Sequence, residues 1–88
     1  MTIAHFAESV VVRSDGGTPT LLIWRGVRYD VTDTPTPIDE EVGGEILTHP
    51  IARRIGWRFQ GTDSMGVSHV FDVREIGFGE WQLTTIYD

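Results

Sequence analysis

The sequence predicts an all-β fold, an antiparallel meander of five to six strands in a small open barrel or strongly bent sheet, with at most one short helix. Three observations lead there. Val67, His69, Phe71 and Val73 alternate with Ser68, Asp72 and Arg74, the period of a half-buried strand. Trp57-Arg58-Phe59 before it and Trp81-Gln82-Leu83 after it alternate in the same sense, as antiparallel partners of that strand should. Thr20–Trp24 and Val27–Thr32 are apolar, β-branched runs parted by Arg25-Gly26, the pattern of a tight hairpin.

In chain order, Met1 to Phe6 is expected to fray, because chain ends stay poorly ordered unless a sheet edge holds them. Glu8 to Ser14 is a strand rich in valine, stopped by the turn residues Asp15-Gly16-Gly17. Pro19 lacks a backbone donor, so a central strand is not expected before Thr20. In the hairpin a two-residue loop pairs Trp24 with Val27, Leu22 with Tyr29 and Thr20 with Val31. A three-residue loop, which would pair Ile23 with Val27, stays open because Arg25 is not the Asn or Asp that a type I′ turn prefers. Pro35 and Pro37 break the chain. Residues 33–55 read as an irregular crossover, in which 38–42 could form one helical turn and His49 to Ile55 a short helix or a strand entering Trp57. In the final meander, a loop of Thr62 to Gly66 sets Phe59 opposite His69 and Trp57 opposite Phe71. A second loop of Glu75 to Gly79 sets Val73 opposite Trp81, Phe71 opposite Leu83 and His69 opposite Thr85. Asp72 and Arg74 then lie on the solvent face.

The bulk properties bound the rest. Eighty-eight residues make one domain, residues 1–88, with no room for a second core. There is no cysteine, which excludes disulfides and thiolate metal sites. No apolar run approaches a membrane span, the N-terminus lacks the features of a signal peptide, and a cytoplasmic location is expected. The net charge is −6, with eight acids against three Arg in residues 1–45, so long-range attraction to nucleic acid is disfavoured. All seven cations are Arg.

The segments Trp24-Arg25-Gly26-Val27-Arg28-Tyr29-Asp30-Val31, Trp57-Arg58-Phe59 and Gly79-Glu80-Trp81-Gln82-Leu83, with the ending Ile86-Tyr87-Asp88, resemble a family of small actinobacterial domains of unknown function. The resemblance covers roughly residues 20–88. The chain departs from it at Pro50 to Ile55, where the family often carries a Trp-rich segment. Some members look like companions of an inactive Y-family polymerase subunit from the translesion-synthesis mutagenesis cassette. The resemblance therefore implies an accessory protein in DNA-damage tolerance. It supplies no catalytic residues.

Chemistry-bearing patterns are sparse, and no enzymatic activity is expected. His5, His49 and His69 show no zinc-ligand spacing, and the acids Asp39, Glu40, Glu41 and Glu45 lack a calcium-loop alternation. No serine elbow or phosphate loop is present, and no cofactor or metal is expected. Two groups carry binding content. Trp24 beside Arg25 at a turn has the composition of a protein-interface anchor, and on that reading a W24A change leaves the fold largely intact. Arg53, Arg54 and Arg58 around Trp57 could stack on bases and hold phosphates. The plainer reading pairs Arg58 with Asp72 and sets Arg53 and Arg54 against the acidic crossover. The expected function is a non-catalytic interaction module for another protein, with a single-stranded nucleic-acid binder as the alternative. The expected state is a monomer or a weak homodimer through an edge at Val10–Arg13.

Overall fold

A computed structural model describes residues 2–42 and 51–88. Seven antiparallel strands run in chain order: β1 (Ile3–Asp15), β2 (Thr18–Trp24), β3 (Val27–Val31), β4 (Thr36–Val42), β5 (Ile51–Thr62), β6 (Ser68–Gly77) and β7 (Glu80–Tyr87). They hydrogen-bond in the order β3-β2-β1-β7-β6-β5-β4, and a further pairing of β3 with β5 closes six of them into a small barrel. β4 lies outside that ring, on β5. The fold is all-β as the alternation requires, and the barrel is closed.

The interior is filled by side chains. Leu22, Phe59, Phe71, Val73 and Leu83 are fully buried, and Tyr29 and Ile86 nearly so. Burying each large side chain contributes about 1.5–3 kcal/mol. Tyr29, Phe71 and Trp24 meet edge to face or tilted, with ring centroids 5.0 to 6.4 Å apart. Gly61 lets β5 pass close to this cluster, since a Cβ there would stand 2.9 Å from the Phe71 ring.

Several expectations are corrected. Residues 3–6 are strand, because β1 is the long central strand: Ile3 to His5 and Glu8 to Val10 pair with β7, across a register shift at Phe6 and Ala7, and Val11 to Asp15 pair with β2. Val10–Arg13 thus lies inside the strand order, with Val10 paired to β7 and Val11 to Arg13 paired to β2. Thr36–Val42 and Ile51–Ile55 are strand, so the irregular crossover narrows and the helical readings of 38–42 and 51–55 fall. Residues 43–50 lie outside the described part. Pro19 does stand in β2, opposite Ser14, beside a register shift at Arg13/Ser14; a bulge is where a strand tolerates a missing donor.

The hairpin of β2 and β3 has the two-residue turn and the pairs Trp24–Val27 and Leu22–Tyr29. Arg25 and Gly26 take φ of 51° and 76°, so Arg25 accepts the left-handed conformation of a type I′ turn. Between β5 and β6 the meander keeps its faces but shifts its register, and past a bulge in β7 Thr85 to Tyr87 take the opposite faces. Phe59 pairs with Phe71, Trp57 with Val73 and Arg58 with Asp72. The loop is Asp63–Val67, centred one residue later than expected, because the Asp63 carboxylate accepts from the backbone N–H groups of Met65 and Val67, both at 2.9 Å. Between β6 and β7, Val73 pairs with Leu83 and Phe71 with Ile86. Leu83 and Ile86 are three residues apart and both face inward, which requires a bulge at Thr84.

Candidate functional site

The predicted binding residues fall into two separate places. At the Trp24–Arg25 corner, Trp24 is half-buried and packs on Phe6, Tyr29 and Phe71. Its indole N–H donates to Glu8 Oε2 at 2.5 Å. Arg25 donates to both oxygens of the same carboxylate, at 2.6 and 3.2 Å, and lies 4.7 Å over the Trp24 ring. Hydrogen bonds from Arg25 and then Trp24 hold the Glu8 carboxyl below its usual pKa, and Glu8 raises that of Arg25. The corner is a clasp between β1 and the β2–β3 turn, in which one carboxylate takes the indole N–H and two guanidinium donors. The expectation that Trp24 is dispensable for the fold does not survive this packing.

Arg58 is committed in the same way. It donates to the two oxygens of Asp72 at 2.7 and 3.0 Å and to the Tyr87 hydroxyl at 2.7 Å. Tyr87 in turn donates to Asp72 at 2.7 Å. Asp72 faces away from the barrel interior, yet these two side chains leave it only 7% exposed; the expectation that it is solvated is corrected for that reason. The hydrogen bond to Asp72, then burial, raise the Tyr87 pKa, and Asp72 likewise raises that of Arg58.

Arg53, Arg54 and Trp57 lie elsewhere, at the end of the barrel where β5 leaves β6. The ladder between these strands stops at Gly56–Arg74. Beyond it, Arg53 and Arg54 pair only with Glu40 and Asp39 of β4, and Glu75 and Gly77 only with Trp81 and Glu80 of β7. Each strand carries one extra residue here, Ile55 in β5 and Ile76 in β6. A bulge bends its strand, and two facing each other splay the pair. Gly56 is the pivot. A Cβ there would stand 2.0 Å from the Val73 carbonyl oxygen, so no other residue lets the strands approach at the point where they part.

The result is a groove of about 540 Å³ lined by Arg53, Arg54, Ile55, Arg74, Glu75, Ile76, Gly77 and Gln82. It runs into a pocket of about 400 Å³ in the barrel mouth, walled by Trp57 and Trp81 with Ser14 and Gly17 of the β1–β2 turn. Arg54 stacks 4.8 Å over the Trp57 ring. Arg53 and Arg74 both stand near one Glu40 oxygen, at 3.7 and 3.8 Å, and Arg54 stands 3.7 Å from Asp39. Those distances exceed hydrogen-bond range. Ile76 is half-exposed and Phe78, at the adjoining hairpin tip, fully exposed. Reading the sequence found Arg53, Arg54 and Trp57 but missed Arg74, Ile55 and Ile76; the available signal was the glycine directly after each bulge, Gly56 and Gly77.

Among the described residues, no three or more His, Asp and Glu side chains converge as metal ligands would, and no helix is long and apolar enough to cross a membrane. Comparison of the chain with family models, curated proteins and solved structures finds no match.

Proposed function

We propose that the protein is a non-catalytic interaction module that captures an extended segment of another protein in the cleft between β5 and β6. The observation that carries this reading is the parting of the two strands at Gly56 and Arg74. Two stretches of strand backbone face the cleft without a ladder between them, and an added strand supplies the hydrogen bonds that such edges lack. The barrel interior is filled, so the space for a ligand lies at this mouth, a common place for binding in β-barrels. The mouth pocket offers apolar walls for one side chain, while the backbone edges fix its direction.

The test is to select binders from a displayed library of random peptides and follow amide hydrogen exchange of the whole protein with the best of them. Binding should protect amides within 53–55 and 75–77. An I76P variant, which removes a backbone donor at an exposed bulge, should keep the fold and lose the peptide. Protection confined to the Trp24–Arg25 corner, or full binding by I76P, overturns the reading.

A second reading, a single-stranded nucleic-acid binder, draws support from the Arg54–Trp57 stack beside Arg53 and Arg74. Net charge of −6 weighs against it, because phosphate binding relies on a broad cationic surface. A setting in DNA-damage tolerance rests on the resemblance of the Trp24–Val31, Trp57–Phe59 and Gly79–Asp88 segments alone, and a cytoplasmic location fits the lack of cysteine and of any membrane-length apolar run.

A further inference from the structure

The three arginines of the cleft differ from Arg25, Arg28 and Arg58. Arg25, Arg28 and Arg58 each hydrogen-bond a carboxylate at 2.6 to 3.2 Å. Arg53, Arg54 and Arg74 reach theirs only at 3.7–3.8 Å, so among the described residues their guanidinium donors make no hydrogen bond to a carboxylate. Each guanidinium presents five N–H donors in a planar fork that fits a carboxylate bidentately. Three such forks line a groove whose one lining anion among the described residues is Glu75, on a chain whose net charge is −6. With Glu40, Asp39 and Glu75 beside them the three arginines carry no net charge as a cluster, so what they offer an anion is unused donor capacity at short range and not long-range attraction.

We infer that the captured segment is acidic. Its carboxylates are held by Arg53, Arg54 and Arg74, and a bulky apolar side chain between them enters the pocket walled by Trp57 and Trp81. This rests on the strand-capture reading and adds the chemistry of the partner. Glu40, shared by Arg53 and Arg74 at 3.7 and 3.8 Å, keeps the two guanidinium groups together without a hydrogen bond to either. An incoming carboxylate gains the shorter bonds that Glu40 does not make. Ile76 on the lip and Phe78 at the tip add apolar surface of the kind that anchors an interface. The unpaired strand edges favour a peptide over a nucleic acid, which has no backbone ladder to offer them.

The experiment pans random peptides of about ten residues, the length a strand edge accommodates, against the whole chain and against an R53Q/R74Q variant. Selected sequences should be enriched in Asp and Glu around one aromatic or branched residue. Replacing their acids by Asn and Gln should weaken binding about tenfold or more, as loss of charge-assisted pairs does. That advantage should shrink as salt rises and vanish in R53Q/R74Q. Circular dichroism checks that the variant folds, and R54Q serves if it does not. Binders with no acidic enrichment, or with equal affinity for their amide versions, overturn this inference and leave strand capture standing. Failure to select any binder, or binders that leave residues 53–55 and 75–77 unprotected, overturns both. Displacement of the peptides by a polythymidine strand at lower concentration assigns the arginines to phosphate instead and also overturns the inference.

Discussion

Arg54 and Arg58 lie four residues apart on β5, yet they belong to two different kinds of surface. Arg58 sits where β5 is paired with β6, and its donors end on Asp72 and Tyr87 at 2.7 to 3.0 Å. Arg54 sits past the point where the strands part, 3.7 Å from Asp39 and stacked on Trp57. The difference comes from backbone pairing and not from residue type. Where the ladder continues, cross-strand neighbours are held about 5 Å apart and opposite charges meet. Where two bulges end it, the same residue type keeps its hydrogen-bonding capacity for a partner. The paired region makes the fold, and the parted region makes the candidate site.

Substitutions can break that contrast at either end. The largest effect belongs to the paired region's core. Phe71→Ala removes a ring in contact with Trp24, Tyr29 and Phe59, and about 4 kcal/mol of stability should be lost in urea denaturation. Trp24→Ala should cost about 3 kcal/mol by the same measurement; a value below 1 kcal/mol would return Trp24 to the role of a dispensable surface anchor. Asp72→Ala comes next. It leaves Arg58 and the Tyr87 hydroxyl without their shared acceptor, and about 2 kcal/mol should disappear, read as a lower thermal midpoint.

The polar groups of the paired region also predict a pH dependence. The carboxyl of Glu8 is held below the usual 4.5, so its contribution is complete above that value and is lost as pH falls through the depressed one. Tyr87 is raised above 10.0. Its neutral form is favoured in the fold, so its contribution is complete below pH 10.0 and is lost as pH rises through the folded value. In E8Q the acid-side slope of stability should flatten, and in Y87F the alkaline one. Unchanged slopes would show that neither hydrogen bond forms in solution. The smallest stability effect is expected in the cleft. R53Q, R54Q and R74Q should each stay within about 0.5 kcal/mol of the parent, because their carboxylate partners lie too far for hydrogen bonds and are exposed. A loss near that of Asp72→Ala in any of them would make it part of the scaffold.

The sequence located most of the chemistry and less of its geometry. The hairpin turn at Arg25-Gly26 and the pair Arg58–Asp72 were legible, because a two-residue turn fixes its own register and opposite charges seek each other across a ladder. Between β6 and β7 the bulge at Thr84 turns Thr85 and Ile86 to the faces opposite those expected, and between β5 and β6 the pairing was off by one step of the alternation. Such a shift keeps every side chain on its face, so the pattern of apolar residues cannot detect it. The Asp63 turn, with its carboxylate bonded to two backbone donors, settles that count. β1 looked like an edge because its first residues, Ile3 to Phe6, carry no strong strand signal of their own. They are strand because β7 offers them a partner.

By itself the sequence determined that this chain is predominantly antiparallel β, that most of its rings gather on one side of the strands, and that its cations are few and all arginine. Those properties follow from local alternation and composition, which act on neighbours along the chain. Only the tertiary structure decided that six strands close into a ring, that Asp72 is shielded while facing outward, and that β5 and β6 separate at Gly56. Each of these depends on which strand lies beside which, and on single extra residues at Ile55, Ile76 and Thr84 whose bulges arise only when a partner strand fixes the count.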